Sequence, residues 1–374
     1  MIGGAFVRRL AVALAVALAV PQPALAYLKF SFETLRGGVV TLKWDEGSVR
    51  YFVTDRGAPG VSAAQFQAAM ARAFATWQAV PSATIGFQFV GFTGAQPFED
   101  DDMSVVGFQD LDDPEFDRVL GATGFTVDAL TGEILESDIF FNTSFDWSTA
   151  GAGQPGRFDL ESVALHEAGH FLGLGHSALG ETEALPGGAR RVIASGAVMF
   201  PISFGAGNVA DRELQPDDVA GVSDIYPSGE HRPRTGAARG RVTLNGAPVF
   251  GAHVVAFNPA TGDLIGGLTV NRDGEFEITG LTPGPHVIRV EPLDDVDVES
   301  FFDGDDVEVD FQVTYLERLF VAPRGGVGDR FEVAVRPKGS ASRAARPPAW
   351  RGSPSWRRRR RRRRPPAARR AASR

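Results

Sequence analysis

The chain of 374 residues contains no cysteine. Disulfide bonds, thiolate ligands for a metal and a catalytic thiol are therefore excluded. Histidine is also scarce, because the sequence has only six histidines and none of them precedes position 166. Long apolar runs are missing as well: the apolar stretch at residues 10–20 is well below the roughly 20 residues that a membrane-spanning helix needs. We therefore expect no association with a membrane.

Charge is distributed very unevenly between the body of the chain and its C-terminal tail. The tail, residues 338–374, holds 15 of the 38 Lys and Arg and none of the 46 Asp and Glu, so the body carries 23 basic against 46 acidic residues. An acidic body disfavours nucleic acid and anionic membranes as partners. Eight consecutive arginines at 357–364 predict a disordered tail that can bind polyanions, with a reading-frame artefact as the alternative.

Residues 1–26 have the pattern of a secretory signal peptide. Arg8 and Arg9 form a positive start, residues 10–20 are apolar, and the segment 24–26 reads Ala-Leu-Ala, which fits a cleavage site between small residues. The mature chain is then expected to begin near Tyr27. This pattern predicts an exported protein, either secreted to the extracellular space or held in the periplasm or cell envelope.

The stretch His166–His176 reads HEAGHFLGLGH and holds half of the histidines. On a helix, His166 and His170 leave the same face and can clamp one divalent ion. Gly173 can end the helix in a left-handed turn, and the returning chain then brings in His176 as a third ligand. Three neutral imidazoles and one water form an open, catalytic zinc site. The alternative is a helix with solvated or core histidines, which the five fixed positions of the pattern disfavour.

These residues resemble the HExxHxxGxxH signature of the metzincin metallopeptidases, and Ser177 after the third histidine is similar to the matrixin branch of that family. The resemblance implies one Zn²⁺ on His166, His170 and His176, with Glu167 as the general base. It also implies an α+β zincin fold, in which a twisted mixed sheet packs with three helices. A zinc endopeptidase is the function that follows.

The order of predicted elements in residues 27–227 is similar to a matrixin catalytic domain. Residue alternation predicts four strands and apolar spacing predicts three helices, the strands at 49–53, 85–90, 103–108 and 136–142 and the helices at 61–80, 160–172 and 214–226. The segment 197–201 resembles the Met-turn, so Met199 would form an apolar floor beneath the imidazoles. Asp217 or Asp218 could hold that floor by hydrogen bonds.

Two segments bear on substrate binding. In matrixins, a segment similar to 136–142 forms the edge strand above the cleft, where the substrate adds its backbone as an antiparallel strand. The resemblance therefore implies that Ile139, Phe140 and Phe141 line the rim of the cleft. The loose segment 177–195 is longer than in typical animal matrixins, and it either sets specificity or is plain surface.

Acidic residues raise the possibility of structural Ca²⁺. Clustered carboxylates suit hard cations, and such residues occur at 99–102, Asp128 and Asp138. The alternatives are a solvated loop at 99–102 and turn formation by the two aspartates. Many animal matrixins carry a second, structural zinc near this region on three histidines and an aspartate. Because no histidine precedes His166, that zinc is expected to be absent, and calcium or packing must order the loop.

Residues 228–237 are polar and contain proline. This composition predicts a linker between two domains. We expect His231, which lies within it, to be solvated.

Residues 238–337 differ in character from the preceding domain. Short alternating runs separated by Asn-Gly, Asp-Gly and Pro-Gly turns predict an all-β, immunoglobulin-like sandwich. The runs at 241–242, 271–276 and 280–284 resemble the carboxypeptidase regulatory-like domain. His253 and His286 occur singly in strands, so we expect packing or surface roles for them.

The sequence as a whole predicts an exported, monomeric zinc endopeptidase that acts on protein or peptide substrates, and the resemblance associates it with the extracellular matrix. The rival hypothesis is an exported surface- or polymer-binding protein that retains a catalytically degenerate peptidase scaffold. An intact Glu167 disfavours the rival, because loss of the general base is a common route to inactivity.

Overall fold

A computed structural model of the chain describes residues 9–12, 29–34, 38–110, 119–185, 190–293, 301–302 and 307–339. Most of the predicted signal peptide and nearly all of the predicted basic tail lie outside these residues. The two domains below belong to one compact unit. Within the described part of the chain, no helix is long and apolar enough to cross a membrane.

The first domain is built on a six-stranded sheet with the order β1-β7-β8-β6-β4-β5. Its elements, in chain order, are β1 (Arg9–Val12), β2 (Ser31–Glu33), β3 (Val39–Thr41), β4 (Ser48–Thr54), α1 (Ala63–Gln78), β5 (Gly86–Thr93), β6 (Val105–Gln109), β7 (Gly121–Asp128), β8 (Ile134–Asn142), β9 (Trp147–Ser148), β10 (Phe158–Asp159), α2 (Leu160–Phe171), β11 (Gly180–Ala184), β12 (Arg190–Ser195) and α3 (Pro216–Ile225). Strands β4, β5, β6 and β8 are parallel, whereas β7 runs antiparallel to β8, and β1 antiparallel to β7. A mixed sheet with three principal helices confirms the predicted α+β domain.

Helix α1 forms where the apolar spacing predicted a helix. Ser62 and Gln65 make a capping box at its start, which satisfies backbone amides that have no partner inside the helix. The residues that recur every three or four positions are buried, among them Phe66 and Phe74. Trp77 donates from its indole nitrogen to the carbonyl oxygen of Leu165 in α2 at 2.8 Å. This contact joins α1 to the helix that carries the histidines.

The edge of the sheet differs from the prediction. Strand β8 pairs with β6 on one side and with β7 on the other, and Ile139, Phe140 and Phe141 are fully buried. The prediction that 136–142 forms the edge strand and that these three side chains line the rim is therefore wrong. Their near-continuous apolar run is that of a strand covered on both faces. Strand β7 lies outside β8, and β1 covers only its Phe125–Asp128 half.

The two aspartates considered for calcium are held by backbone amides. Asp128 accepts a hydrogen bond from the amide of Leu130 in the following turn at 2.8 Å. Asp138 accepts from the amides of Val105, at 2.6 Å, and Phe98. Such contacts are typical of side chains that fix turns and loops. These contacts support the alternative stated for both residues, which is that the two aspartates form turns and do not bind calcium.

The second domain consists of two facing sheets and confirms the predicted β-sandwich. Its elements are α4 (His231–Arg234), β13 (Gly236–Leu244), β14 (Ala247–Pro248), β15 (His253–Phe257), β16 (Leu264–Leu268), β17 (Glu275–Leu281), β18 (Gly284–Glu291), β19 (Thr314–Tyr315), β20 (Phe320–Ala322) and β21 (Phe331–Val335). One sheet has the order β14-β13-β17 with β21 on β13, and the other has the order β16-β15-β18-β19 with β20 on β18. Alternate residues such as Phe276 and Ile288 form the core between them.

The segment predicted as a linker is folded. Residues 231–234 form α4, and the backbone amide of Gly325 donates to the carbonyl of Thr235 at 3.0 Å. His231 is 7% exposed, so the prediction of a solvated histidine is wrong. Burial lowers the pKa of His231, because a buried imidazole is more stable without charge. A polar composition does not reveal which side of a short helix packs inward.

Candidate metal centre

Helix α2 begins at a side-chain cap. Asp159 accepts from the backbone amide of Ser162 at 2.9 Å, and Glu161 lies in the first turn. Both features stabilise a helix N-terminus, through a hydrogen bond and through the helix dipole. Arg212 forms an ion pair with the buried Asp159. The predicted start of the histidine helix is confirmed, and this anchored end fixes its direction.

The helix ends where Gly173 was predicted to end it. Gly173 has a φ of +90°, and a Cβ atom there would lie 2.4 Å from the carbonyl oxygen of Leu42. Only glycine meets both the left-handed backbone and the close approach. The chain then turns back, so that His176 faces the end of α2.

The three histidines converge. Each offers one ligand atom within 4.8 Å of the others, and this is the one such group of potential metal ligands among the residues that the structure describes. The Nδ1 atom of His166 lies 2.7 Å from the carbonyl oxygen of Val198, and that of His170 lies 2.8 Å from the carbonyl of Leu174. A carbonyl can only accept, so Nδ1 carries the hydrogen in both rings. Their Nε2 lone pairs are then free for a metal.

The electrostatics of the cluster favour neutral imidazoles. Burial lowers the pKa of His166 to about 3, and burial together with the neighbouring rings lowers the pKa of His170 well below its usual value. Neutral imidazole is the form that ligates metals. Three imidazole donors fit Zn²⁺ in a site with an open position. The residues present therefore suit the predicted ion.

Glu167 lies beside the cluster with one carboxylate oxygen fixed. It is 4% exposed, and its Oε2 accepts from the hydroxyl of Thr123 on β7 at 2.8 Å. A Cβ atom on Gly121 would lie 3.2 Å from Oε1, so the missing side chain there leaves that oxygen room. Burial raises the pKa of Glu167 to about 7, and the Thr123 hydrogen bond opposes this rise. A single threonine in a strand gave no signal of this role in the sequence.

The predicted Met-turn lies under the helix. A Cβ atom on Gly169 would lie 2.2 Å from the Sδ atom of Met199, so the sulfur packs directly against α2 beside His170. The carboxylate of Asp218 accepts from the amides of Val198 at 2.8 Å and Met199 at 3.1 Å. The prediction that Asp217 or Asp218 holds the floor of the site by hydrogen bonds is confirmed for Asp218. The sequence did not reveal that Gly169 must be small.

The neighbouring carboxylate links the site to the second domain. Asp217 accepts from the hydroxyl of Ser177 at 2.6 Å and from the amide of Gly266 in β16 at 2.8 Å. Ser177 follows the third histidine, and its own amide donates to the carbonyl of Met199 at 2.8 Å. Burial raises the pKa of Asp217 to about 6 and that of Asp218 to about 7. Two adjacent residues thus hold two neighbours of the histidine cluster, Asp217 the residue after His176 and Asp218 the Met-turn.

The segment after the third histidine is ordered, which the sequence did not indicate. Strands β11 and β12 pair as an antiparallel hairpin, with a register shift between Glu181 and Thr182. The prediction of a loose loop at 177–195 is wrong for its described residues. The sequence did not indicate this pairing of two strands, because the segment has few regularly alternating apolar residues.

Comparison with known proteins agrees with this geometry. Residues 43–186 match the Matrixin family (Peptidase_M10), and residues 237–314 match the carboxypeptidase regulatory-like domain. The chain therefore contains a matrixin domain followed by a carboxypeptidase regulatory-like domain. The first match includes all three histidines of the cluster and ends before the Met-turn.

Three curated relatives align with the peptidase region. The chain is 31% identical over 167 residues to Metalloendoproteinase 2-MMP of Arabidopsis thaliana, covering 43% of this chain and 37% of that protein. It is 39% identical over 75 residues to Metalloendoproteinase 5-MMP of the same plant, covering 19% and 16%. It is 30% identical over 163 residues to Matrix metalloproteinase-16 of Homo sapiens, covering 42% and 26%. The chain thus spans well under half the length of these relatives.

Proposed function

We propose that the protein is a zinc-dependent endopeptidase that cleaves protein or peptide substrates. The observation that carries this proposal is the convergence of His166, His170 and His176 beside Glu167 within a matrixin domain. Their bond partners hold both helical imidazoles in the tautomer that a metal needs. The same contacts support a proposed role for each of these side chains in the reaction.

Each side chain has a definite task in such a reaction. When bound, zinc supplies a Lewis acid for the peptide carbonyl and for the attacking water. Glu167 takes the proton of that water at Oε1 and delivers it to the leaving amine. Thr123 holds Oε2, so the carboxylate does not have to be oriented during the reaction. This orientation is the kind of preorganisation that raises rates.

Strand β7 is the proposed docking edge for the substrate. Thr123 lies on it and contacts the general base, so the strand runs past the site. Strand β1 pairs with Phe125–Asp128 in antiparallel register, an example of an extended segment added to this edge. Among the described residues, nothing pairs with the outer side of 121–124. A peptide added there would gain main-chain hydrogen bonds while its side chains reach the pockets.

We further propose that the protein is exported and that its leader, residues 1–26, is removed. Strand β1 belongs to that leader, so its removal would free the whole outer edge of β7. N-terminal sequencing of the secreted protein should give a start near Tyr27. An N-terminus at Met1 on an active, exported protein would contradict this step.

The test of the proposed function is metal-dependent cleavage of a peptide library, read by mass spectrometry. The zinc-loaded protein should cut peptides at internal bonds, a chelator should abolish the cleavage, and added zinc should restore it. Absence of internal cleavage by protein that demonstrably holds zinc would contradict the proposal. Cleavage that survives complete removal of the metal would contradict it as well.

A further inference from the structure

One sheet of the second domain has an outer face that the sandwich core does not cover. This sheet has the order β16-β15-β18-β19 with β20 on β18, and its strands pair antiparallel throughout. Alternate residues of β18 are buried, namely His286, Ile288 and Val290. The residues between them point to the opposite side of the sheet. Pairing with β18 therefore identifies the other residues on the outer face.

Large apolar side chains lie exposed on this outer face. Directly paired residues of an antiparallel sheet share a face, and the outward residues of β18 pair with Phe257, Tyr315 and Val321. Tyr315 is 56% and Val321 is 66% exposed, and Phe257 is exposed as well. Val313 and Leu319, two residues before Tyr315 and Val321, are also exposed. We call these five side chains the apolar patch.

The composition of the apolar patch differs from that of a sheet face that only meets water. An antiparallel sheet that covers a core with one face commonly carries polar residues on the other. Single exposed apolar residues are ordinary, whereas several on one face mark a surface that binds a partner. The patch therefore indicates an interaction surface on the second domain.

The apolar patch continues an interface that is already formed. Val255 of β15 packs with Leu179 and Ala197 of the first domain, and Leu264 packs against this cluster. Phe257 follows Val255 by two residues and pairs with Leu264, so the patch begins where the contact between the domains ends. A partner seated on the patch would therefore also lie against the domain that carries the histidines.

The same side of the second domain reaches the candidate metal centre. The ring of Phe301 lies edge-on to that of His176, with 6.2 Å between the ring centres. Phe301 is buried in one cluster with Leu268 of β16. Strand β19 lies three strands from β16, which is about 15 Å at the usual strand spacing. A polypeptide held at the metal centre would need on the order of ten extended residues to cross the patch.

The charges on this face favour an apolar occupant. Among the described strand residues, the outward carboxylate of Glu291 forms an ion pair with Arg289 at 3.0 Å, and the Nδ1 atom of His253 lies 3.1 Å from it. The Nε atom of Arg289 and the Nε2 atom of His253 have no hydrogen-bond partner, but both are buried and do not contact an occupant of the exposed patch. A charged polymer would find little opposite charge there.

We propose that the apolar patch binds an apolar, extended segment of the protein substrate, at a distance from the bond that is cut. The inference rests on the proposed peptidase function. It gives the second domain a direct part in the capture of protein substrates. A second copy of the chain is the competing occupant, and the experiment separates the two.

The test uses a patch variant that combines Tyr315→Ser with Val321→Ser. The matched control combines Val90→Ser with Phe92→Ser, two exposed apolar positions of β5 in the first domain. Substitutions at exposed positions seldom unfold a protein, and thermal melting verifies this for each variant. If the double patch variant fails to fold, the two single substitutions carry the test.

The first readout compares a long substrate with a short one. The long substrate is casein, an unfolded protein, and the short one is a hexapeptide that the native protein cuts. The patch variant should lose about tenfold in kcat/KM for casein, mainly through KM, as expected when apolar contacts are lost. Cleavage of the hexapeptide should stay native, because it is too short to reach the patch. The control should match the native protein on both substrates.

The second readout is casein binding to the zinc-loaded Glu167→Gln protein, so that affinity is measured without cleavage. Adding the two patch substitutions should raise Kd about tenfold, whereas adding the control substitutions should not. If the patch binds casein in this way but the native protein cuts neither substrate, the binding site stands and the peptidase function fails.

Native casein binding and cleavage in a folded patch variant would overturn the proposal and leave the peptidase function in place. Equal losses on casein and on the hexapeptide would also overturn it, because the patch would then act on the cleft itself. A native dimer that sedimentation shows to dissociate in the patch variant, with casein binding unchanged, would assign the patch to a second copy of the chain and overturn the proposal.

Discussion

The candidate metal centre and a cavity of about 440 Å³ are built in contrasting ways, although Phe301 of the cavity lining contacts His176. The candidate metal centre takes its three histidines and the proposed base from the continuous stretch His166–His176. The cavity takes its lining from segments around residues 178–200, 253–264 and 289–301, which meet only when two domains pack together. The difference teaches that the histidine cluster is local in the chain, whereas the cavity depends on tertiary packing.

Two adjacent carboxylates at the start of α3 each support a different one of these two regions. Asp218 accepts from the amides of Val198 and Met199 and so supports the floor of the metal centre. Asp217 accepts from Ser177 and from Gly266 of the second domain and so supports the cavity. Substitutions at these positions can break one region while leaving the other in place.

The largest effect is expected from Glu167→Gln, which removes the base without changing the shape of the side chain. Loss of a general base typically costs about 10²–10⁴-fold in rate, so kcat/KM for peptide cleavage should fall by that factor while zinc content stays native. Glu161→Gln, in the first turn of the same helix, is the control and should cleave near the native rate. A Glu167→Gln protein as active as the native one would remove the assigned role.

Asp218→Ala should break the metal centre first. It leaves the amides of Val198, Met199 and Gln215 without their buried acceptor, at a cost of about 1–3 kcal/mol for each unsatisfied group. The Met-turn then loosens, and zinc affinity should fall by about 10–100-fold, as when a supporting partner of a metal site is removed. Urea unfolding and zinc titration measure the two effects. Native zinc affinity in a destabilised protein would show that the turn does not support the metal.

The pH dependence of stability should distinguish the same two carboxylates. Burial raises their folded-state pKa, to about 6 for Asp217 and about 7 for Asp218, so the folded protein binds protons that the unfolded chain has released. Their stabilising contribution is complete below about pH 4 and is lost as the pH rises toward 6 and 7. Urea unfolding at stepped pH should give a shallower decline for Asp217→Asn and Asp218→Asn than for the native protein.

The two carboxylates should contribute unequally to this decline. Across this range each should change the free energy of unfolding by at most on the order of 2–4 kcal/mol, and Asp218 should contribute more than Asp217. Because the buried histidines titrate alike in all three proteins, the comparison between proteins isolates the carboxylates. A native slope in both variants would mean that these groups are ionised in the folded state throughout.

The smallest effect is expected from Ser177→Ala. It removes one donor to Asp217 and leaves the amide of Gly266 in place, so stability should fall by about 1 kcal/mol. Zinc affinity should stay near native, because the three histidines are unchanged. Ser203→Ala, at an exposed position, is the matched control. Equal losses of stability in Ser177→Ala and Ser203→Ala would contradict the role of the hydrogen bond from Ser177 to Asp217.

Much of the metal centre was predictable from sequence because its information is local. Histidine spacing on a helix fixes a common face, and Gly173 marks the point at which the backbone must turn. The supporting Met199 and Asp218 follow in order after the histidines. Helix α1 was predictable for the same reason, since its apolar period and cap lie within one segment.

The misjudged features depend on contacts between distant segments. The apolar run of β8 does not indicate which strand lies next to it in the sheet. Ile139, Phe140 and Phe141 were therefore assigned to the edge of the sheet, although β7 pairs with β8 on that side. His231 looked solvated because its packing partners lie elsewhere in the chain. Thr123 approaches Glu167 only through the pairing of β7. Leu179 and Ala197, which flank the hairpin β11–β12, pack against Val255 of the second domain, and the sequence did not reveal this contact either.

Metal analysis of the native protein beside a His176→Ala variant tests the central claim most directly. His231→Gln, a histidine outside the cluster, serves as the control. The native and control proteins should each hold about one zinc ion per chain, as a three-histidine catalytic site does, and His176→Ala should lose most of it under the same dialysis. Equal zinc in all three proteins, or none in the native one, would contradict the convergence of these histidines on a single ion.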